Sequence, residues 1–536
     1  MQKHFKKIFF SLIFLSGFLV WGNAKAACEG SYVSNGKTVT SYDATAGCIQ
    51  EAVDAVISED EWWTVVVPEA TVTWGASDTV LITNKKVKIM GGDNDPTFVK
   101  KTVINHADAS QPYNLFKFAI YTYPIEIANF TFNGAAASGH YPILVDKYSY
   151  GNNTKVNGLR IHHINNNMNN SIVSISGQIY GLIDNNTLAY QYSYPLIREW
   201  RQEDALTTLY NWAGTASWNE GVDFASFEAD AVYVENNTYT NQTTGQICFI
   251  TDSSMGGRVV ARFNTATNCI MSWHAIAQSG GMSRGSFLNI FYNNALAYTY
   301  VIWHPWILKL VGGTGFTFNN VVTSISGSAT GPPKITVQNY RDNPNDAHMT
   351  GENAWRTVCS GTNQYDDGGV DGPESDGYPC GDGIGLTGSP DSNGQEHSPY
   401  YIWNNTYNGS LVAAEQEAYT AAAHHTHADQ DYYVQDDVYC PTRVDGSTNC
   451  TKGVGRGDQR PDLCTPGVAY FETDEYSLYK CTAANTWTKL FTPYDCPHPL
   501  AGLSGSCDYS EVGTAGYNIS GSDTTSPASP TGLSVT

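Results

Sequence analysis

The chain has 536 residues, of which 41% are apolar and only 15% are charged. It is rich in Gly, Tyr, Trp, Asn and Thr, which disfavours helical bundles, coiled coils and α/β nucleotide-binding folds and favours strands and turns. The net charge of −22 disfavours nucleic acid as a partner.

The N-terminus has the pattern of a secretory signal peptide over residues 1–26. Three lysines precede an apolar run from Ile8 to Val20, and Ala24-Lys25-Ala26 supplies a small-x-small cleavage pattern. This run is short for a membrane span, although an uncleaved anchor is the alternative interpretation. We therefore predict an exported mature chain from Ala27, secreted, periplasmic or at the cell surface, with no integral membrane segment after cleavage.

The twelve cysteines fit an exported protein, because all of them lie after the predicted cleavage site. The sequence contains no CxxC pair, which disfavours a structural zinc site. Proximity predicts the disulfides Cys28–Cys48, Cys248–Cys269 and Cys359–Cys380, and the other six cysteines crowd the last hundred residues. We expect a disulfide-rich C-terminal cap over residues 421–512, followed by a flexible Gly/Ser/Thr/Pro-rich tail over 513–536.

A short amphipathic segment around Ile49, Val53, Val56 and Ile57 predicts a helix that ends near Glu59. This helix belongs to a predicted N-terminal cap of residues 27–63. Short strands separated by Gly and Pro follow at 64–67, 80–82, 87–90 and 103–105.

Further along, a short strand followed by Asn-Asn recurs. From Asn237 the intervals to Asn264, Asn294 and Asn320 are 27, 30 and 26 residues, and earlier copies lie near positions 133 and 166. Such a period is typical of a solenoid, and Asn tolerates the left-handed bends that join short strands. We therefore predict an all-β, right-handed parallel β-helix over residues 64–420, with Asn side chains stacked from coil to coil.

The competing architectures are a β-sandwich array and a propeller, whose blades need about 40–50 residues. For Asn-Asn-Thr, the alternative is an N-glycosylation site. Along residues 258–263, strand alternation predicts that Val259, Ala261 and Phe263 face inward and that Arg258 and Arg262 face outward.

Three segments carry a family resemblance. Residues from Cys48 through Val65-Val66-Val67-Pro68 to Met90-Gly91-Gly92 resemble the opening of secreted β-helix proteins of the pectate-lyase-like superfamily, in which a short helix caps the coil. Residues 252–264, with Gly256-Gly257-Arg258, and residues 478–500 are similar to bacterial right-handed parallel β-helix repeat proteins. The resemblance covers most of residues 27–505 and implies the fold more than an activity.

Distance from the recurrent Asn places several candidate site residues on adjacent coils. Trp273-His274 and Trp303-His304 both lie nine and ten residues after such an Asn, which predicts two stacked Trp-His pairs. Four charged side chains lie nine to twelve residues before one, namely Glu228, Asp252, Arg284 and Lys309. Aromatic rings stack on sugars and carboxylates bind Ca²⁺ or transfer protons, so we predict a polysaccharide-binding cleft. A surface of stacked polar residues without a function is the alternative.

Two reactions are open at this cleft. In β-elimination, which the superfamily's lyases imply, Asp230 and Asp252 are candidate Ca²⁺ ligands and Arg258, Arg284 or Lys309 is the candidate base. In hydrolysis, two carboxylates from Glu228, Asp230 and Asp252 act across the glycosidic bond, about 5–10 Å apart. His274 is a further catalytic candidate. The candidate substrate-binding residues are Trp273, Trp303, His304 and Arg262.

The sequence thus predicts a secreted carbohydrate-active protein that acts on a uronic-acid-containing polysaccharide, as a lyase before a glycoside hydrolase. The alternative is a non-catalytic glycan-binding or adhesin-like surface protein. The negative net charge opposes a polyanionic substrate, but screening limits that effect to about 8 Å. An Asp-rich loop at 366–391 and the histidines 424, 425 and 427 could bind metals, and solvated loops are the simpler interpretation of both.

Overall fold

The computed structural model describes residues 28, 33–57, 60–107, 114–120, 122–134, 141–147, 156–168, 171–189, 194–198, 231–241, 248–254, 257–272, 286, 288–299, 306–310, 313–324, 334–337, 386–388, 395–397, 399–412, 414–416, 428, 432–435, 453–503 and 507. The predicted signal peptide, the tail beyond residue 512, the Cys359–Cys380 disulfide, the aspartates of the Asp-rich loop and the three histidines at 424–427 lie outside these ranges.

The predicted all-β parallel β-helix is confirmed. The chain passes through three sheets in turn and returns to the first sheet one coil further on, so that equivalent strands pair in parallel. Sheet 1 contains thirteen strands: Val33–Asn35, Thr38–Thr40, Trp63–Val66, Val87–Met90, Ile125–Ala128, Val156–His162, Ile179–Asp184, Val232–Glu235, Arg258–Arg262, Leu288–Tyr292, Thr314–Phe318, Tyr400–Trp403 and Tyr432–Val434.

Sheet 2 contains eleven strands: Thr71–Trp74, Thr102–His106, Phe130–Gly134, Asn165–Met168, Thr187–Ala189, Thr238–Thr240, Thr265–Thr267, Ala295–Tyr298, Val321–Ser324, Thr406–Tyr407 and Ser410–Leu411. Sheet 3 contains six strands: Val80–Thr83, Phe116–Ala119, Ile143–Asp146, Val173–Ser176, Pro195–Arg198 and Asp252–Ser254. Smaller sheets join Trp306–Leu310, Lys334–Val337 and Ala414–Gln416, Cys248–Phe249 and Cys269–Ile270, and the hairpin Leu386–Gly388 and Gln395–His397. Antiparallel pairs occur at the ends of sheets 1 and 2.

Inward-facing side chains form one continuous apolar core from Val39 to Tyr432. Val259 and Ala261 belong to this core, as predicted. The prediction for Phe263 is wrong: this residue occupies a bend with φ of 57° and packs in a second apolar cluster outside the coil. The strand has already ended at Arg262, so its alternation does not extend to residue 263.

The N-terminal helix spans Ala46–Asp54, earlier than predicted. It begins there because the Thr45 hydroxyl accepts a hydrogen bond from the Cys48 amide and caps the first turn. Its buried face, which includes Ile49 and Val53, packs into the core, whereas Ile57 is 82% exposed. The predicted Cys28–Cys48 and Cys248–Cys269 disulfides are present.

The Asn residues form one continuous ladder. Nδ2 of Asn237 donates to Oδ1 of Asn264, Asn264 donates to Asn294, and Asn294 donates to Asn320, at 2.9–3.1 Å. Asn186 and Asn405 extend the ladder at its two ends. We call this set the asparagine ladder. It confirms the predicted stacking.

The residue before each ladder Asn has positive φ, as at Asn185, Asn236, Asn293, Asn319 and Asn404. The earlier copies near positions 133 and 166 differ from the prediction. Asn133 belongs to a separate ladder on the outer face of sheet 2. Asn166 lies within the strand Asn165–Met168, and Ile164 takes the place of a ladder Asn in that coil.

A separate, mainly antiparallel sheet follows the solenoid in the chain, and we call it the C-terminal sheet. Its strands are Val454–Gly455, Ala469–Glu472, Ser477–Ala483 and Thr486–Phe491. Phe471 and Phe491 pack on aromatic side chains of sheet 1. The disulfides Cys464–Cys481 and Cys496–Cys507 confirm a cystine-rich C-terminal region, which lies along the side of the solenoid.

Short 3-10 helices are Gly92–Asn94, Gly457–Gln459 and Pro499–Ala501. Within the described ranges, no helix has both the length and the apolar character needed to cross a membrane.

Candidate functional site

The outer face of sheet 1 changes from charged to aromatic along the solenoid. Strand register places its outward side chains in two rows, one residue per coil. The first row is Lys88, Glu126, Arg160, Leu182, Tyr233, Val260, Ile290, Phe316, Tyr401 and Tyr433. The second row is Ala128, His162, Asp184, Glu235, Arg262, Tyr292, Phe318 and Trp403.

The charged end of this face contains a chain of hydrogen-bonded titratable groups. Oε1 of Glu126 lies 3.1 Å from Nε2 of His162, and Nδ1 of His162 lies 2.8 Å from Nδ1 of His163. One ring must donate and the other must accept in the second contact, so the protonation of the two imidazoles is linked. We define the histidine cluster as Lys88, Glu126, Arg160, His162, His163 and Asp184.

His163 is held in an unusual backbone conformation. Its φ of 53° places it in the left-handed region, at the bend where later coils carry Asn185 or Asn236. The ring of Phe98, whose φ is 55°, stacks on the His163 ring with centroids 3.8 Å apart. Bulky residues with left-handed backbone conformations cost conformational free energy, and they are concentrated at functional sites. Phe98 and His163 therefore mark this surface as a candidate functional site.

Both carboxylates of the cluster are paired with cations. Lys88 Nζ lies 2.9 Å from Oε2 of Glu126. Arg160 binds Asp184 with two hydrogen bonds, from Nε to Oδ1 at 3.1 Å and from Nη2 to Oδ2 at 2.9 Å. Burial would raise the pKa of Glu126, but the hydrogen bond and charge of His162, with Lys88 and Arg160, lower it to about 2. The pKa of Asp184 is likewise lowered, because Arg160 outweighs the effect of burial.

Burial, reinforced by the charge of His162, lowers the pKa of His163 to about 3. His163 is therefore neutral at physiological pH. Burial also lowers the pKa of Lys101, whose ammonium donates to the His163 carbonyl, to about 8. Glu126, Arg160, His162 and Asp184 are buried, whereas His163 is only half-buried. The cluster therefore reaches solvent through His163.

The rim of the cluster is aromatic and basic. Trp62, Phe98 and Lys101 are half-buried around it, and Lys88 Nζ lies 5.3 Å from the centroid of the Trp62 ring. This arrangement places a neutral imidazole, an ammonium group and two half-buried aromatic rings on one stretch of surface.

The structure places Arg262 differently from the sequence prediction. Its side chain is completely buried, and Nη1 donates to the Tyr292 hydroxyl at 2.6 Å and to the Tyr494 carbonyl at 2.9 Å. Its Nη2 donates to the Asp495 carbonyl at 2.8 Å. The predicted substrate-binding role is therefore corrected to a structural one, since Arg262 fastens residues 494–495 to the coil.

Asp252, Arg258 and Lys309 are also buried. Asp252 begins a strand of sheet 3, Arg258 begins the next strand of sheet 1, and Lys309 lies in the strand Trp306–Leu310. Lys309 Nζ lies 4.5 Å from the centroid of the Trp306 ring. Their catalytic roles stay predictions.

The remaining site residues predicted from the sequence lie outside the described residues. They are Glu228, Asp230, Trp273, His274, Arg284, Trp303 and His304. Since Asp230 is among them, the Ca²⁺ site formed with Asp252 also stays a prediction. Among the described side chains, no group of three His, Cys, Asp or Glu residues could hold a metal ion.

The sequence prediction does not include the histidine cluster, because it rests on positions nine to twelve residues from the recurrent Asn. The position two residues before each ladder Asn carried the signal. Asp184, Glu235 and Arg262 all stand there, and His162 stands two residues before Ile164, which takes the equivalent place. A row of charged residues at one phase of a solenoid therefore indicated a single charged face.

No protein-family model matches this chain, and comparison with curated proteins and with solved structures finds no match.

Proposed function

We propose that this protein is an exported polysaccharide lyase that cleaves a uronic-acid-containing polymer, with His163 as the base. The observation that carries the proposal is the hydrogen-bonded chain from Glu126 through His162 to a neutral, half-buried His163. A neutral imidazole at the surface, hydrogen-bonded through a second imidazole to a buried carboxylate, can accept a proton from a bound substrate.

In the proposed reaction, a cation neutralises the uronate carboxylate and so acidifies the proton on the adjacent C5. His163 takes that proton, the electron pair forms the C4–C5 double bond, and the C4–O bond breaks. The leaving oxygen takes a proton from water. Lys101, whose pKa of about 8 leaves it mostly charged at neutral pH, is the proposed partner of the carboxylate.

The charges of the cluster favour elimination over hydrolysis. A glycoside hydrolase needs one carboxylic acid that is protonated at working pH. Glu126 and Asp184 are both held ionised by their cationic partners, so neither suits that role. The cations Lys88, Lys101 and Arg160 outnumber these two carboxylates, which supports an anionic substrate despite the negative net charge of the chain.

The test is a screen of the purified protein on polygalacturonate, alginate and glucuronate-containing polymers, with and without Ca²⁺. Ultraviolet absorbance of the new C4–C5 double bond reports elimination. His163→Asn keeps a residue that tolerates positive φ and removes the base, so we expect turnover to fall by about 10²–10⁴-fold. Full activity of His163→Asn would reject His163 as the base.

The matched control is Asn236→Gly, which changes the same bend position in a coil outside the cluster. We expect it to keep wild-type turnover. If no polymer yields an unsaturated product while polysaccharide binding persists, the function is non-catalytic glycan binding, the alternative that the sequence left open.

A further inference from the structure

The described strands of sheet 2 place no charged side chain on its outer face. Acidic and basic residues make up 15% of the whole chain. Among the eleven described strands of sheet 2, from Thr71–Trp74 to Ser410–Leu411, none contains Asp, Glu, Lys or Arg. Sheet 1 carries the histidine cluster, and sheet 3 carries Lys117 and Asp146. The neutrality is therefore a property of this one face.

This face is also regular and solvent-accessible. Burial alternates strictly along its middle strands, with Leu188, Tyr239 and Ala266 buried and the residues on either side of each accessible. Parallel pairing puts equivalent residues about 4.8 Å apart along the solenoid, and outward residues two apart on one strand lie about 6.6 Å from each other. The result is a flat two-dimensional array.

Threonine dominates the centre of the array. Thr187, Thr238 and Thr265 form one row, and Thr240 and Thr267 form part of the next row. Each threonine presents a hydroxyl and a methyl on a β-branched side chain with restricted rotamers. The groups are therefore held at fixed spacing before any partner binds, which lowers the ordering cost of binding.

We propose that this threonine face binds the ordered surface of a neutral, insoluble β-1,4-linked polysaccharide and anchors the protein there. Such a surface repeats hydroxyl and C–H groups at intervals of a few ångströms and carries no charge, which complements alternating hydroxyls and methyls on a neutral array. A polyanion would gain nothing from this face, because it offers no cation.

The face also favours binding to a solid polysaccharide surface over binding to a single soluble polysaccharide chain. Its central residues Thr238, Thr265 and Thr267 belong to strands without an outward aromatic ring on which one sugar could stack. Each contact is then a weak hydrogen bond or methyl contact, so useful affinity requires many contacts made at once. An ordered surface supplies them across several coils, and a flexible oligosaccharide does not.

The test measures adsorption of the full-length protein to microcrystalline cellulose and to crystalline chitin, from 50 mM to 1 M NaCl. We expect adsorption to at least one solid, little change with salt because no ion pairs form, and no competition by soluble cello- or chito-oligosaccharides. Thr238→Glu places a charge in the centre of the array and should weaken adsorption at least tenfold.

Thr83→Glu is the matched control, since it makes the same change at an exposed position on sheet 3. Thr83→Glu should adsorb like the wild type, and both variants should keep the wild-type melting temperature. Thr240→Val, which removes a hydroxyl while keeping the shape, should give a smaller loss than Thr238→Glu.

Three outcomes would overturn the proposal: no adsorption to either solid, adsorption that 1 M NaCl abolishes, or equal losses in Thr238→Glu and Thr83→Glu. Retention on ice in place of both polysaccharides would assign the array to a different ordered lattice and would also overturn it. The result is separable from the lyase assay, because His163→Asn should adsorb normally and Thr238→Glu should retain turnover on soluble uronate polymers.

Discussion

Arg262 donates from Nε to Oε1 of Glu235 at 2.6 Å across two adjacent coils, and both side chains are completely buried. The remaining guanidinium donors bind Tyr292 and the carbonyls of residues 494 and 495. One buried ion pair therefore joins two coils of the solenoid and the segment that follows the C-terminal sheet.

Removing only one partner of this pair should be strongly destabilising. Arg262→Met removes the guanidinium that pairs with the buried Glu235 carboxylate, and we expect it to lower the free energy of unfolding by about 3–5 kcal/mol. The double variant Arg262→Met/Glu235→Met should recover much of the loss, because no buried charge remains. Denaturant unfolding of both variants and of Glu235→Met checks this prediction, and a double variant as unstable as Arg262→Met would contradict it.

A substitution that breaks the asparagine ladder should lower the free energy of unfolding more than a substitution at the residue beside it. Oδ1 of Asn264 accepts from the Asn237 amide and side chain, and Nδ2 of Asn264 donates to the Val234 carbonyl. Asn264→Ala leaves these buried groups unpaired, so we expect a loss of about 2–4 kcal/mol in denaturant unfolding. Asn236→Gly keeps the left-handed bend and should lose less than about 1 kcal/mol. Equal losses would show that the ladder bonds are not the cause.

Acid should begin to destabilise the fold at about pH 6.5, where buried histidines become protonated on unfolding. Burial lowers the pKa of His163 and of His498 from 6.5 to about 3. The unfolded chain therefore takes up protons that the folded chain does not bind, and stability falls as the pH drops from about 6.5 to 3. Each histidine contributes a slope of at most about 1.4 kcal/mol per pH unit.

Glu126 acts in the same direction at lower pH. Its pKa is lowered from 4.5 to about 2, so the stability that it contributes above pH 4.5 is lost between these values. Denaturation midpoints at pH 7.5, 6, 5 and 4 measure the combined effect. His163→Asn should show a smaller fall between pH 6.5 and 4, and an unchanged slope would mean that His163 titrates normally in the folded protein.

Two glycine substitutions should have opposite effects on stability. Gly181 has φ of 155°, and an added Cβ would lie 2.0 Å from the Leu159 carbonyl oxygen in the adjacent coil. Gly181→Ala should therefore destabilise the fold by several kcal/mol or prevent folding, because the added Cβ would clash with backbone atoms that cannot move aside as a side chain could. Gly47 lies within the N-terminal helix with nothing within 4 Å, so Gly47→Ala should stabilise by about 0.5–1 kcal/mol. Thermal unfolding compares the two.

The architecture could be predicted because it depends on local, repeated chemistry. Each ladder Asn hydrogen-bonds the Asn of the next coil, so Asn must recur once per coil. The repeat from Asn237 to Asn320 could therefore be recognised in the sequence. The insertions between coils vary in length, however, so that residues at the same distance of nine to twelve positions from an Asn do not occupy equivalent places in successive coils. A distance of two residues crosses no insertion, and His162 and Asp184 are accordingly paired on adjacent strands of sheet 1.

The role of Arg262 could not be predicted from its own coil. Its outward direction followed from strand alternation, but its burial depends on Tyr494 and Asp495, more than two hundred residues further along the chain. Nothing in the local pattern distinguishes an outward residue that meets solvent from one that a later segment covers. The same holds for the aromatic residues of the two rows, which alternation alone would have placed on the surface.

The position of the C-terminal sheet has a consequence for biogenesis. Until residues 453–507 have been synthesised, the strip formed by Tyr292, Phe316, Phe318 and Tyr401 lacks the packing partners that the C-terminal sheet supplies, although the coils that carry the strip can already be wound. An exposed aromatic strip of this kind promotes self-association of nascent chains. A chain truncated before residue 453 should therefore aggregate when it is expressed, because the C-terminal sheet shields this strip.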